Sequence, residues 1–235
     1  MVQKEWYAPA APLSGRAYWV ALVRKQPSAI LVGIQIFVIL LLPWLEGAFW
    51  GRMVFVVMSF SAVTMAAWVV RSTSALTWLA VLIGVPGVFL EGWSVMDENH
   101  VVVGAMAHGL LAIFYLYVAY GLVSYVFSDA WVTKDELFAV GAAFTVLLFA
   151  FTYLFISVQY VWPGSFSGGD GGPRRTFLEL LYFSAANLTS VGLSDVIAVR
   201  SHARAVTIVE QLGGVLYVAM VISRLVALTV ARVRR

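Results

Sequence analysis

The sequence predicts an all-α integral membrane protein with six transmembrane helices and one shorter helix that enters the membrane and returns. Hydrophobic residues make up 62% of its 235 residues, and charged residues only 11%. Such a chain has more apolar side chains than one soluble core can bury. Six apolar segments are long enough to span a bilayer as helices, whereas residues 176–188 are apolar but too short.

The distribution of basic residues indicates how the chain lies in the membrane. The net charge is +3, and with six spans more Lys and Arg residues fall on one side than on the other. Because cytoplasmic loops are enriched in basic residues, we expect a multi-pass protein of the cell membrane with both termini in the cytoplasm. Membrane lipid, and no nucleic acid, is the expected partner of these residues. The chain has no cysteine, which excludes disulfides, thiolate metal sites and cysteine catalysis.

The first half of the chain is expected to hold four spans. Residues 1–27 are either an interfacial helix or a loose basic leader on the cytoplasmic side. Residues 28–128 are expected to form a four-helix transmembrane domain. Its spans are 28–45, 53–70, 75–93 and 101–127. A voltage-sensor domain has the same number of helices, but it needs several charges within the membrane field, and the fourth span contains no Lys or Arg.

Ionisable residues are few in these spans. Glu91, Asp97, Glu98 and His100 follow the third span on the expected outer side. They are either a metal or proton-sensing site or, more simply, a solvated turn. His108 lies near the outer end of the fourth span, where it is either an intramembrane functional residue or, as we expect, a residue that faces the interface.

The second half of the chain begins after an expected cytoplasmic linker at residues 129–136. Residues 137–235 are expected to contain a span, a flexible glycine-rich external loop, the short helix and a last span. Thr176 is the expected N-cap of the short helix. Glu179 follows at the third helical position, where a carboxylate interacts favourably with a helix N-terminus.

The turn after the short helix has the residues of an ion-binding segment. Non-helical backbone at membrane depth is tolerated only where it is buried in protein or lines a water-filled cavity. Successive backbone carbonyls, arranged by four chains around an axis, can replace the water shell of a small cation. We therefore predict a homotetramer with a central cation pore. The pore-lining residues are Thr189, Ser190, Val191, Gly192, Leu193 and Ser194.

The stretch LYFSAANLTSVGLSD, residues 181–195, resembles the pore helix and selectivity filter of tetrameric potassium channels. The similarity extends over residues 137–230 and suggests a prokaryotic-type, six-span subunit with one pore loop and without a charged voltage-sensor helix. The usual filter of the family reads T-V-G-Y-G-D. Its six positions correspond here to Ser190, Val191, Gly192, Leu193, Ser194 and Asp195.

The resemblance also implies roles for single residues. Potassium is implied to bind at Ser190, Val191 and Gly192, and the Ser190 hydroxyl is implied to complete the innermost site. Asp195, Tyr182 and Phe183 are implied to support the filter. The Tyr182 hydroxyl either donates a hydrogen bond to Asp195 or belongs to an aromatic ring packed at the bilayer interface. No cofactor is expected, because potassium is the permeating ion.

Ser194 departs from the family pattern. The second filter glycine adopts a backbone conformation that a side chain resists, and a left-handed conformation costs an L-residue roughly 1–2 kcal/mol. Ser194 is therefore held in strain, or the outer filter is rearranged and wider, with the serine hydroxyl bonded to a neighbouring backbone group or to water. The second case predicts weaker preference for potassium.

The last span contains candidate gating residues. Gly213 and Gly214 lie near its middle, and Gly214 stands at the position of the hinge glycine of the family. Two glycines permit bending, or they permit close helix packing. Glu210 either contacts the back of the short helix or faces the cavity. Three apolar residues at fourfold spacing are candidates for a constriction: Val218, Ile222 and Val226.

A homotetrameric cation channel, conducting potassium, is the leading functional prediction. The expected partners are three further copies of the chain, lipid and monovalent cations. One alternative is a weakly selective monovalent cation channel, and another is a non-conducting sensor or accessory subunit on a channel scaffold. No enzyme is expected, because the sequence pairs no nucleophile with a base and its three histidines are scattered.

Overall fold

The computed structural model describes residues 27–45, 74–96, 100–128 and 134–233. These residues form six helices and a small antiparallel sheet of two three-residue strands, which we did not expect from the sequence. In chain order the elements are α1 (Pro27–Leu45), α2 (Ser74–Met96), α3 (Val101–Ser128), α4 (Lys134–Val161), β1 (Phe166–Gly168), α5 (Phe177–Leu188), β2 (Val196–Ala198) and α6 (Ser201–Val233).

Four of the described helices are long and apolar enough to cross a membrane. Their spanning segments are Ser28–Leu45, Val101–Phe127, Leu137–Val161 and Ser201–Ala227. The apolar part of α2, Trp78–Ser94, is shorter. The expected span at residues 53–70 and the expected leader at 1–26 lie outside the described residues. The chain is thus a helical membrane protein, and the total of six spans stays a prediction.

Helix α4 is the centre of the described fold. It contacts α1, α3, α5 and α6, whereas α2 packs on α3. The reason is its apolar character on every side, which favours burial against several neighbours. Accordingly 67% of its spanning segment is buried, against 28% for α6. Of the described helices in the expected domain at 28–128, α1 and α3 therefore pack directly on the first helix of the second half.

Asp135 joins the ends of three helices at the start of α4. Its carboxylate is buried and accepts hydrogen bonds from the Ser28 backbone N–H (3.0 Å) and hydroxyl (2.9 Å) and from the Tyr125 hydroxyl (3.2 Å). The first N–H groups of a helix have no partner within it, so Asp135 caps α1 from a neighbouring helix. We expected residue 135 in a linker; instead α4 begins at Lys134.

Two ionisable residues of the first half of the chain contact α4, and for Glu91 this corrects our expectation of a solvated turn. Glu91 is 4% exposed and accepts a hydrogen bond from the Tyr153 hydroxyl (3.4 Å). The His108 ring stacks on Tyr160 with a centroid distance of 5.4 Å. Both residues connect α2 or α3 to α4. Residues 97–99, with the other two acids of the cluster, lie outside the described residues.

The glycine-rich loop after α4 is tied to the segment that follows α5. In the strand pair, Gly168 lies opposite Val196, and the Val199 N–H donates to the Ser165 carbonyl (2.9 Å). Gly168 has a φ of +94°, and a Cβ there would overlap the carbonyl oxygen of Asp195. Such a close approach requires glycine.

The same loop is also attached to α4 and α5 through Arg175. Gln159 Nε2 donates to the Arg175 carbonyl and the Arg175 N–H donates to Gln159 Oε1, both at 2.9 Å. The Arg175 guanidinium donates to the carbonyls of Gly168 and Gly172 and lies 3.7 Å from Glu179. These contacts attach the loop to α4 and α5, and its flexibility stays a prediction.

Candidate functional site

The short helix α5 begins as its sequence predicts. Thr176 Oγ1 accepts a hydrogen bond from the Glu179 N–H (3.2 Å), and Glu179 Oε2 accepts one from the Thr176 N–H (2.6 Å). This reciprocal pair is a capping box. The helix has 12 residues, a length of about 18 Å at 1.5 Å per residue. It therefore reaches only part of the way across a bilayer, as expected.

The helix ends at two residues that we assigned to the filter. Thr189 is the C-cap in a right-handed conformation, and its hydroxyl donates to the Ala185 carbonyl (2.6 Å). Ser190 follows with a φ of +59°, and its N–H donates to the Asn187 carbonyl (2.9 Å). A left-handed residue directly after the C-cap is a common helix terminator, usually glycine. Ser190 takes this place although it bears a side chain.

Gly192 and Ser194 adopt different conformations. Gly192 has a φ of +73°, and its N–H donates to the Ala186 carbonyl (2.9 Å). Ser194 has no positive φ, because Ser190 is the one non-glycine residue with a positive φ in the described ranges. The Ser194 hydroxyl accepts a hydrogen bond from the Val196 N–H (3.1 Å). The Ser194 hydroxyl is thus bonded to a neighbouring backbone group, and the left-handed non-glycine residue is Ser190. A rearranged and wider outer filter stays a prediction.

The turn from residue 189 to 193 is exposed on this chain. Val191 is 62% exposed and Leu193 is 70% exposed. Both are apolar and lie beside backbone groups of a non-helical segment. Such a segment needs protein or a water-filled cavity around it when it lies within a membrane. The described residues of this chain do not supply that cover.

The aromatic residues behind the turn have unequal roles. Phe183 is 4% exposed and packs edge-on against Phe155 (5.1 Å between centroids) and Phe166 (5.6 Å). Tyr182 is 52% exposed, and no hydrogen bond among the described residues joins its hydroxyl to Asp195. Phe183 is thus packed against α4 and β1, and its support of the filter stays a prediction. The Tyr182–Asp195 bond that we considered is not formed among the described residues.

Glu210 contacts the back of α5, which decides between our two alternatives. Its side chain is fully buried, and Oε1 is hydrogen-bonded to the Ser184 hydroxyl. The same hydroxyl lies 3.2 Å from the Leu148 carbonyl of α4. The second carboxyl oxygen, Oε2, is buried and has no hydrogen-bond partner among the described residues. Glu210 thus joins α6 to the pore-helix candidate rather than facing a cavity.

The two glycines of α6 have different surroundings. A Cβ at Gly214 would overlap the carbonyl oxygen of Leu188, whereas a Cβ at Gly213 would meet no atom within 4 Å. Gly214 therefore permits close packing of α6 on α5. Helix α6 continues through both residues, and a hinge there stays a prediction.

The candidate constriction residues lie on the exposed part of α6. Their exposed fractions are 45% for Val218, 55% for Ile222 and 56% for Val226. The structure thus leaves these apolar side chains available for contact with lipid or another chain. Their role as a constriction stays a prediction.

An amide pair that the sequence did not reveal also joins α5 to α6. Gln211 Nε2 donates to Asn187 Oδ1 (2.8 Å), and Asn187 Nδ2 donates to the Phe183 carbonyl (2.8 Å). The sequence contained one signal for this contact, which is the presence of two amide side chains in apolar helices. Polar side chains within membrane helices commonly bond to neighbouring helices. Their partners depend on helix rotation, which the sequence leaves open.

Comparison with known proteins identifies one family. Residues 141–231 match the model of a family described as "Ion channel". The matched region runs from α4 to α6 and includes the exposed turn. No curated protein and no solved structure matched the chain. The match supports an ion-channel function for this region and agrees with a non-enzymatic protein.

Proposed function

We propose that the chain is the subunit of a homotetrameric, potassium-conducting channel in the cell membrane. Ions pass along the backbone carbonyls of residues 189–194, and potassium binds at Ser190, Val191 and Gly192. Both termini are cytoplasmic, and the partners are three further copies of the chain and lipid. The observation that carries the proposal is the exposed turn between α5 and α6, within the region that matches an ion-channel family.

The need for further copies follows from what covers this turn. Lipid can cover apolar side chains of α6 such as Leu212 and Leu216, each 60% exposed. Lipid cannot satisfy the backbone groups of a non-helical turn. One chain contributes one such turn, whereas a dehydrated cation needs carbonyl oxygens on all sides. A closed ring of identical subunits meets both requirements.

The end of α5 provides a suitable electrostatic setting for a cation. A helix C-terminus carries a partial negative charge from its last carbonyl groups. Thr189 and Ser190 continue directly from this end, and their N–H groups donate to carbonyls of the last helical turn. These hydrogen bonds hold the turn at the C-terminus of α5, so the proposed ion path begins beside the partial negative charge of the helix.

A weakly selective cation channel is the second candidate. The observation that favours it is the Ser194 hydroxyl, which accepts the Val196 N–H and so supports a rearranged outer filter. A filter whose outer part is rearranged has fewer carbonyl sites and retains more water around the ion. Discrimination between potassium and sodium decreases when hydration is retained.

Ion flux into liposomes that contain the purified protein tests the proposal. We expect potassium flux, a tetramer by mass measurement in mild detergent and in lipid, and a reversal potential that favours potassium over sodium. Gly192→Val, which places a β-branched side chain at a φ of +73°, should retain the helical circular dichroism and lose flux. A folded wild-type tetramer without flux would instead indicate an accessory or sensor subunit.

A further inference from the structure

We propose that Gln211 on α6 is a positioning residue for the filter turn and acts through Asn187 on α5. The contact between their side-chain amides links the inner helix of the proposed channel to the backbone of Ser190. The consequence for ion selectivity rests on the proposed function. The structural part, which concerns the conformation of the turn, does not.

Asn187 is held by three hydrogen bonds, to three different parts of the chain. Its Nδ2 donates to the Phe183 carbonyl of α5, and its Oδ1 accepts from Gln211 Nε2 of α6, both at 2.8 Å. Its backbone carbonyl accepts the Ser190 N–H at 2.9 Å. Asn187 is 7% exposed, so the orientation of its side chain depends on these partners. One residue thus connects α6 to the first left-handed residue of the turn.

Ser190 is the residue whose conformation depends on this hydrogen-bonded support. A non-glycine residue in the left-handed region is strained and persists only when its surroundings determine its conformation. The described hydrogen bond from Ser190 reaches Asn187 and no side chain of α6 directly. If Asn187 shifts, the carbonyl that holds Ser190 shifts with it. Gln211 is therefore coupled to Ser190 through one intermediate residue.

Two neighbouring contacts hold α6 in register, so the amide contact can be removed without detaching the helix. Glu210 is bonded to Ser184, and Gly214 packs against the Leu188 carbonyl. These residues flank Gln211 on the face of α6 that contacts α5. A substitution at Gln211 should therefore alter the orientation of Asn187 rather than the position of the whole helix.

A reporter thiol in the turn tests the structural part. The chain has no cysteine, so Val191→Cys introduces a single thiol next to Ser190. In this background, Gln211→Met removes the amide and keeps a similar side-chain length. We expect the thiol-labelling rate to change about threefold or more, which corresponds to roughly 0.6 kcal/mol, the average for interhelical hydrogen bonds in membranes. Gln35→Met, the same change at a buried glutamine of α1, should leave the rate unchanged.

A double-mutant cycle tests whether the effect passes through Asn187. Asn187→Leu alone should change the labelling rate in the same direction as Gln211→Met. The second substitution should add nothing to the first, because the contact is already lost. Additive effects would overturn the inference. An unchanged labelling rate in Gln211→Met would also overturn it. So would loss of folded protein in both Gln211→Met and Gln211→Asn while Gln35→Met folds, because Gln211 would then be needed for the fold itself.

Reversal potentials in mixed potassium and sodium extend the test to function. Without the Val191→Cys reporter, Gln211→Met should lower the permeability ratio of potassium to sodium, and Gln35→Met should not. If wild-type protein passes no ions, the proposed function fails while the labelling results still decide the structural part. If the labelling rate changes and the permeability ratio does not, Gln211 does not determine selectivity and that part of the inference is overturned.

Discussion

Gly214 of α6 packs directly against the carbonyl oxygen of Leu188, the last residue of α5. No side chain separates the two helices at this point. Since Leu188 immediately precedes the turn, this contact places α6 directly beside the start of the turn. Substitution of the two glycines of α6 therefore distinguishes two roles of glycine in a helix, close packing and bending.

Gly214→Ala should therefore destabilise the protein, whereas Gly213→Ala should not. A methyl group at Gly214 would overlap backbone that cannot rotate away, at a cost of roughly 1–3 kcal/mol. At Gly213 the space is open, and alanine should stabilise the helix by about 0.5–1 kcal/mol. Thermal unfolding in detergent measures both. Equal stability, with loss of conductance in both variants, would show that bending matters more than packing.

Ser184→Ala should lower the free energy of unfolding more than Glu210→Gln does. Removal of the Ser184 hydroxyl leaves both Glu210 carboxyl oxygens without a partner, and an unsatisfied buried polar group costs about 1–3 kcal/mol. Glutamine keeps an oxygen and a donor within reach of Ser184. Ser157→Ala is the matched control, because it removes one hydrogen bond between α4 and the Ala105 carbonyl. A larger loss in Ser157→Ala, measured by denaturant unfolding, would contradict the role of Glu210.

Ser190→Gly should stabilise the fold, and Ser190→Thr should destabilise it. Glycine removes a left-handed strain of about 1 kcal/mol, whereas a β-branched residue increases it. Threonine would nevertheless restore the usual residue of the family that the sequence resembles. The melting temperatures of the three proteins at equal detergent concentration decide the order. A threonine variant more stable than the glycine variant would mean that residue 190 is not left-handed in the assembled protein.

Ser194→Gly combined with Leu193→Tyr should sharpen selectivity for potassium over sodium. Glycine removes the hydroxyl that accepts the Val196 N–H and permits the positive φ that serine avoids here. Ser194→Ala is the matched control, because it removes the hydroxyl but keeps Cβ, so selectivity should not rise. Reversal potentials in one ion gradient measure all variants. Wild type that discriminates as strongly as the glycine variant would show that serine does not weaken the filter.

The start of α5 could be read from the sequence because its cause is local. Thr176 and Glu179 are three residues apart, and a capping box needs no other part of the chain. The lengths of the four spanning helices were predictable for the same reason. Each depends on residue type and on spacing within one element.

The remaining features depended on contacts between distant residues. The strands β1 and β2 have three residues each, too few for a periodic pattern, and they form because the loop after α4 meets the segment after α5. The contact of Glu210 with Ser184 depends on which face of α6 is turned toward α5. The sequence of an apolar helix does not reveal that face. Analogy with the filter glycine directed attention to Ser194, as strained or rearranged, whereas the left-handed residue is Ser190.

The sequence by itself determined that a short capped helix, a polar turn and a spanning helix follow one another, because length, polarity and capping are properties of neighbouring residues. Only the tertiary structure decided that Ser190 bears the left-handed conformation and that Gln211 reaches Asn187. The physical reason is that both depend on which hydrogen-bond partners are in reach. Reach is set by the packing of α6 on α5, through contacts such as that of Gly214 with Leu188.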